Sequence, residues 1–138
     1  MSNEPYIALI GNPNSGKTAI FNLLTKMNQK VSNYPGITVE KRLGLARISK
    51  DITVNVLDLP GAYSLTPESM DEDIVAHQVL NWMHGINKPD AIISVVDAGN
   101  INRNLYLTTQ LLDLDIPIIV ALNMMDRVKV ADGVLGGG

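Results

Sequence analysis

Short apolar runs rich in β-branched residues alternate along the chain with stretches of helical period, and that alternation predicts a parallel sheet with crossover helices. Tyr6 to Ile10 reads as the first strand. A loop containing Gly, Asn and Pro separates it from a helix over Gly16 to Met27. Ala19, Leu23 and Lys26 share one side of that helix and Ile20, Leu24 and Met27 another, so its apolar stripe is broad, as expected of a helix packed on a sheet. Asn28 to Thr38 has little period and contains Ser32, Asn33, Pro35 and Gly36; it reads as a long surface loop, a length that usually accompanies function. Val39 to Ile48 and Ile52 to Leu57 turn at Ser49, Lys50 and Asp51 and should pair antiparallel. Turn-forming residues return from Pro60 to Pro67. The helix that follows carries Asp71, Glu72 and Asp73 at the positive end of its dipole, runs to about His84 and stops at Gly85. Ala91 to Val96 predicts a buried strand, Ile101 to Leu114 a helix with Leu105, Leu111 and Leu112 inward, and Ile116 to Leu122 another buried strand. Past Asp126 the pattern fades, and residues 127–138, ending in three glycines, read as a tail or truncation remnant.

Composition narrows the picture. A length of 138 residues suits one domain, and 46% hydrophobic against 18% charged residues is enough to build one core. Aromatics are 4%, so that core must be aliphatic. Eleven Lys and Arg against fourteen Asp and Glu give a net charge of -3, without the basic face that nucleic acid would require. The absence of cysteine excludes disulfides, thiolate metal sites and thiol catalysis together. The longest apolar run, Ile116 to Leu122 with Pro117 inside it, falls far short of the roughly 20 residues that span a bilayer. Met1 to Pro5 lacks an apolar segment of the secretory type, so the chain itself is expected to be soluble.

Three motifs then supply chemistry, in order. Gly11 to Thr18 (GNPNSGKT) matches the phosphate-loop pattern GxxxxGK[ST], placed between strand and helix as its mechanism demands. Backbone N–H groups of Asn14, Ser15, Gly16 and Ala19 and the helix N-terminus surround phosphate oxygens, Lys17 reaches the terminal phosphates, and the Thr18 hydroxyl ligates Mg²⁺. Asp58 to Gly61 (DLPG) ends a buried strand with an acid that can hold Mg²⁺, while the Gly61 amide can sense a terminal phosphate. Asn123 to Asp126 (NMMD) follows the last apolar strand, at the carboxyl end where α/β sheets bind ligands. The Asp126 carboxylate can accept from two adjacent donors of guanine, a pair that adenine lacks. Thr38, in the long loop, can complete Mg²⁺ coordination when a third phosphate is present, which would make the loop a switch. His77 and His84 read as surface histidines, and Trp82 and Met83 as packing residues.

The order of these motifs resembles that of GTPases, giving a P-loop fold of the small G protein type: α/β, mostly parallel, with one antiparallel strand pair and helices on both faces. The strings GNPNSGKTAIFNLLT, VSNYPGITVEK, DLPGAYSL, DAGNINRNLYLTTQLL and IPIIVALNMMD are similar to the N-terminal G domain of the ferrous iron transport protein B family, over roughly residues 5 to 127. Met124 departs from the lysine of most G proteins yet resembles this family's own form, and its thioether can cover a base face. Ala62 stands where many small G proteins carry a water-orienting glutamine. The resemblance further implies that Asn14, with carbonyls of Ser32 and Tyr34, helps hold K⁺, and that GTP and GDP are the ligands, with Lys17, Thr38, Gly61 and Asn14 serving hydrolysis. It implies a last strand, a guanine-contacting loop and a final helix after Asp126, for which twelve residues are too few, so residues 1–138 are expected to be a single, partial GTP-binding domain. Expected partners are the membrane-embedded and helical regions of the same transporter, at the cytoplasmic face of the bacterial inner membrane, with no nucleic acid and an oligomer left open. Two alternatives stand beside this one: a nucleotide-binding module without useful turnover, and a potassium-activated G protein of ribosome assembly or RNA modification.

Overall fold

The structure is a computed structural model and describes residues 5–26 and 28–123. Strand β1 (Tyr6–Gly11) leads through the phosphate loop into α1 (Lys17–Thr25). Then come β2 (Gln29–Asn33), β3 (Glu40–Ser49), β4 (Ile52–Asp58), α2 (Met70–Met83), β5 (Ala91–Asp97), α3 (Ile101–Leu111) and β6 (Ile118–Asn123). The six strands form one sheet in the order β2-β3-β4-β1-β5-β6. β1 runs parallel to both β4 and β5, and β5 parallel to β6. β3 pairs antiparallel with β2 and β4, so the expected hairpin is present.

Side chains alternate across the pleat, and β1 supplies both cores. Ala8 and Ile10 face one way, into a cluster with Leu57, Val75, Val79, Trp82, Leu107 and Leu111 that α2 and α3 cover. Leu9 faces the other way, toward Phe21, Ala46, Val56 and Val95 beneath α1. Helices thus cover both faces, and the central strand β1 delivers the phosphate loop from a position buried on each side.

Several expectations need correction. The supposed loop 28–38 contains a strand: Gln29–Asn33 pairs with Glu40–Gly44 at the sheet edge. Apart from Val31 its residues are polar, and all but Gln29 are exposed, because an edge strand with nothing packed over it needs no apolar alternation. β6 is not a buried strand. Ile119, Val120 and Leu122 are 55%, 46% and 53% exposed, since β6 is the opposite edge and no described element packs over these side chains. α3 ends at Leu111 rather than Leu114, and Leu112 points outward at 62% exposure while Asn104, Leu107, Thr108 and Leu111 face the core. Met83 is 66% exposed, although Trp82 is buried as expected. Among the described residues, no helix is long and apolar enough to cross a membrane.

Candidate functional site

The site lies at the carboxyl ends of the parallel strands. β1 ends at Gly11, and the chain reverses through Asn14, whose φ of 67° is in the left-handed region, to Gly16 at φ 92°, the N-cap of α1. Asparagine is the non-glycine residue best suited to that conformation. Gly16 carries a second constraint: a Cβ there would lie 1.7 Å from Asn123 Nδ2, so the phosphate loop and the last strand meet only because the side chain is missing. Asn123 Nδ2 donates to the Ser15 carbonyl at 3.3 Å, joining the first and third motifs. With a glycine cap and no side-chain capping bond, the first-turn N–H groups of α1 face outward as an anion-binding end.

Two cavities open on this loop. The larger, about 1120 Å³, is lined by the whole run Asn12 to Thr18, by Gly61 and Tyr63, and by residues of α2 and the start of α3. The smaller, about 410 Å³, brings together Lys17, Thr18, Thr38 and Asp58, which sequence spacing alone left 41 residues apart. Lys17 and Asp58 are 8% and 5% exposed and form an ion pair. A buried lysine is tolerable only with such a partner. Two hydroxyls and a carboxylate around one small cavity are a hard oxygen set, the chemistry that fits Mg²⁺. Among the described residues no group of three or more His, Asp or Glu side chains gathers into a metal site.

The 61–68 segment is held from outside itself. Gly61 packs against Pro13, where a Cβ would come within 3.0 Å, and the Ala62 N–H donates to the Gly11 carbonyl at 3.0 Å. Tyr63 N–H donates to Glu72 Oε2 at 2.8 Å and Glu68 N–H to Glu72 Oε1 at 3.0 Å. Leu65 N–H donates to Gln110 Oε1 at 2.9 Å. Glu72 is therefore more than one of three acids at a helix start. Ser69 caps its N–H, and its buried carboxylate ties the preceding segment down. The string Ser69-Met70-Asp71-Glu72 has the S-x-x-E spacing of a capping box, a signal that sequence reading could have used, with the Glu72 carboxylate reaching back to the Glu68 and Tyr63 amides. The Arg103 guanidinium lies 4.1 Å from the Tyr63 ring centroid, a contact without a sequence signature.

Tyr34 behaves differently. Its ring is buried at 8% exposure, its hydroxyl meets no hydrogen-bond partner among the described residues, and burial, with the Asp58 carboxylate adding, pushes its pKa up to about 12. Its carbonyl accepts from Ile37 N–H at 3.2 Å, and the Ser32 backbone is paired with Lys41 in the sheet. Ser32 and Tyr34 line neither cavity, whereas Asn14 lines the larger one. Ala19 follows the loop on α1. Met124 and Asp126 lie outside the described residues.

The family model described as Ferrous iron transport protein B matches residues 5–134. The Fe(2+) transporter FeoB of Escherichia coli K12 and that of Salmonella typhimurium are each 52% identical over 124 residues, covering 87% of this chain and 15% of the relative. The chain thus spans about a seventh of the length of those transporters. A GDP-bound variant of the S. thermophilus FeoB G domain superposes with a TM-score of 0.80 at 49% identity, covering 92% of this chain and 46% of that one. The cytosolic domain of L. pneumophila FeoB gives 0.82 at 47%, over 91% of this chain and 48% of that one. A T. maritima FeoB cytosolic domain in GMPPNP form gives 0.81 at 39%, over 92% and 48%. These matches set aside the ribosome-assembly and RNA-modification alternative, and with a phosphate loop, an Asp58–Gly61 turn and Asn123 converging in the same fold, the chain belongs to the ferrous iron transport protein B family.

Proposed function

We propose that the chain is a GTP-binding, GTP-hydrolysing switch domain serving a ferrous iron transporter at the cytoplasmic face of a bacterial membrane. The observation that carries the reading is the convergence of Lys17, Thr18, Thr38 and Asp58 on one cavity beside the phosphate loop. The loop amides and the α1 N-terminus bind phosphates, and Lys17 leaves its pair with Asp58 to contact the terminal phosphates. Thr18, Thr38 and Asp58 are the residues that would hold Mg²⁺, which would supply neutralisation of phosphate charge there. Asp126 selects guanine by accepting from two donors, and Asn123 braces the phosphate loop against that end of the site.

Ala62 is fully buried and offers no side chain to orient water, so the developing charge calls for another compensator. Asn14, on the cavity wall, is the residue positioned to hold K⁺ for that purpose, with carbonyls of Ser32 and Tyr34 joining once the 34–39 turn rearranges. The membrane-embedded and helical regions of the longer protein are the partners that receive the switch. Asp126→Asn tests the base assignment: it should weaken GTP and improve xanthosine nucleotide binding, and unchanged GTP affinity refutes it. GTP turnover measured in KCl and NaCl at equal ionic strength tests the cation. Faster turnover in KCl, lost in Asn14→Ala with GDP binding retained, is expected; equal rates in the two salts refute it. Binding without measurable turnover in either salt would leave a nucleotide-binding module.

A further inference from the structure

The contacts around Tyr63 carry an inference that rests on the nucleotide reading and goes beyond it. The first turn of α3 touches both sides of the site through one residue. The Arg103 guanidinium stacks on the Tyr63 ring at 4.1 Å, and the Arg103 carbonyl lies 3.5 Å from Asn12 Nδ2 in the phosphate loop. Asn12 is buried at 3% exposure, so its side chain has few other places to go. Tyr63 is only two residues beyond Gly61, whose amide is the group a third phosphate would attract. In the arrangement described, Gly61 is seated on Pro13, Ala62 N–H on Gly11, and Leu65 N–H on Gln110 of α3. Gly61 and Tyr63 are only two residues apart, so the seat of the Gly61 amide and the Tyr63–Arg103 contact belong to one short segment.

We propose that Arg103 is a positioning residue whose stack on Tyr63 holds segment 61–66 in its present seat, and so sets how strongly the domain prefers a triphosphate over a diphosphate. Two states of the segment differ by this contact, and a ligand shifts their balance only by what it gains in one over the other. Removing a contact made in the present seat alone therefore favours the triphosphate-bound seat and leaves diphosphate binding untouched. Tyr63 is 38% exposed, so the contact belongs to the weaker, solvated class of cation–π pairs, and the expected shift is about two- to fivefold. Because the guanidinium is planar, lysine should restore the charge but only part of the effect.

The test compares Kd for GDP and for a non-hydrolysable GTP analogue, with Mg²⁺ present, in the wild-type chain and in Arg103→Met, Arg103→Lys, Tyr63→Leu and Tyr63→Phe. Arg103→Met and Tyr63→Leu should each tighten the analogue about two- to fivefold with GDP unchanged, and the double variant should go no further than either single one. Tyr63→Phe keeps the ring and should match wild type, while Arg103→Lys should fall between. Equal shifts for both nucleotides, no shift, or additive effects in the double variant overturn the proposal. A wild-type chain that binds neither nucleotide overturns the nucleotide reading itself, an outcome distinct from binding with an unmoved ratio.

Discussion

The two segments that flank the phosphate loop are built on opposite plans. The 34–39 turn closes on itself, through Tyr34 N–H to the Val39 carbonyl and Ile37 N–H to the Tyr34 carbonyl, after an exposed edge strand. The 61–68 segment is pinned from outside, by Glu72 of α2 and by Gln110 and Arg103 of α3. Apart from the buried Tyr34 ring, the side chains of the 34–39 turn are exposed or half-buried, so it has fewer ties to the body of the domain. A segment tied to two helices is coupled to them, and α2 and α3 supply the helical side of the larger core cluster. Under the proposed function, the first segment would serve as a gate on the Mg²⁺ side and the second as the output of the switch.

Lys17→Ala should have the largest effect, because it strikes the point both segments share. It removes a charge-assisted contact to the phosphates and should weaken GDP about 100-fold by calorimetry. It also strands the buried Asp58 carboxylate, so thermal unfolding is measured alongside to establish that the variant is folded. Affinity within threefold of wild type would refute the phosphate-loop role.

Glu72→Ala attacks the externally pinned segment alone. It leaves the Tyr63 and Glu68 amides without acceptors and removes an acid from the first turn of α2, at a cost of about 2 kcal/mol in stability. Hydrogen exchange should accelerate at Tyr63 and Glu68 while Tyr34 and Ile37 keep their protection. Acceleration at all four amides would erase the distinction between the segments.

Much of the fold and of the motifs could be read from the chain in advance, while this contrast could not, and the unread part has physical causes. The phosphate loop, the Asp58–Gly61 turn and the strand-helix order follow from Gly, Pro and β-branched periodicity, which are local signals. β2 escaped because a polar edge strand shows no alternation, and β6 read as buried because an apolar run does not reveal whether anything packs on it. Within the site, Lys17 and Asp58 were recognisable from motifs, as was the capping string around Glu72. The Arg103–Tyr63 stack and the Gln110 bond to Leu65 join residues 40 and 45 apart through tertiary placement, for which no short pattern exists. Met124 and Asp126 remain motif assignments outside the described residues.

Thr38→Ala sharpens the comparison from the gate side. Thr38 is exposed in a self-closed turn, so unfolding free energy should change by less than about 0.5 kcal/mol. The Mg²⁺-dependent preference for a GTP analogue over GDP should fall about tenfold, as one oxygen ligand is lost. A stability loss comparable to that of Glu72→Ala would contradict the self-closed description.

The smallest effect concerns Tyr34 and pH. Its pKa, raised to about 12 by burial and then by Asp58, means the fold favours the neutral phenol. The stability this contributes is complete below the ordinary tyrosine value near 10 and is lost as pH rises from about 10 through 12. Tyr34→Phe should flatten the decline of unfolding free energy across that window, and an unchanged slope would show that Tyr34 is not held neutral.

The most direct measurement is a calorimetric comparison of GDP and ADP binding to the chain with Mg²⁺ present. GDP binding at least about 100-fold tighter than ADP, with Lys17→Ala abolishing the heat of binding, is the predicted result. Equal affinity for the two nucleotides, or GDP heat that survives Lys17→Ala unchanged, would contradict a guanine nucleotide site at the Gly11–Thr18 loop.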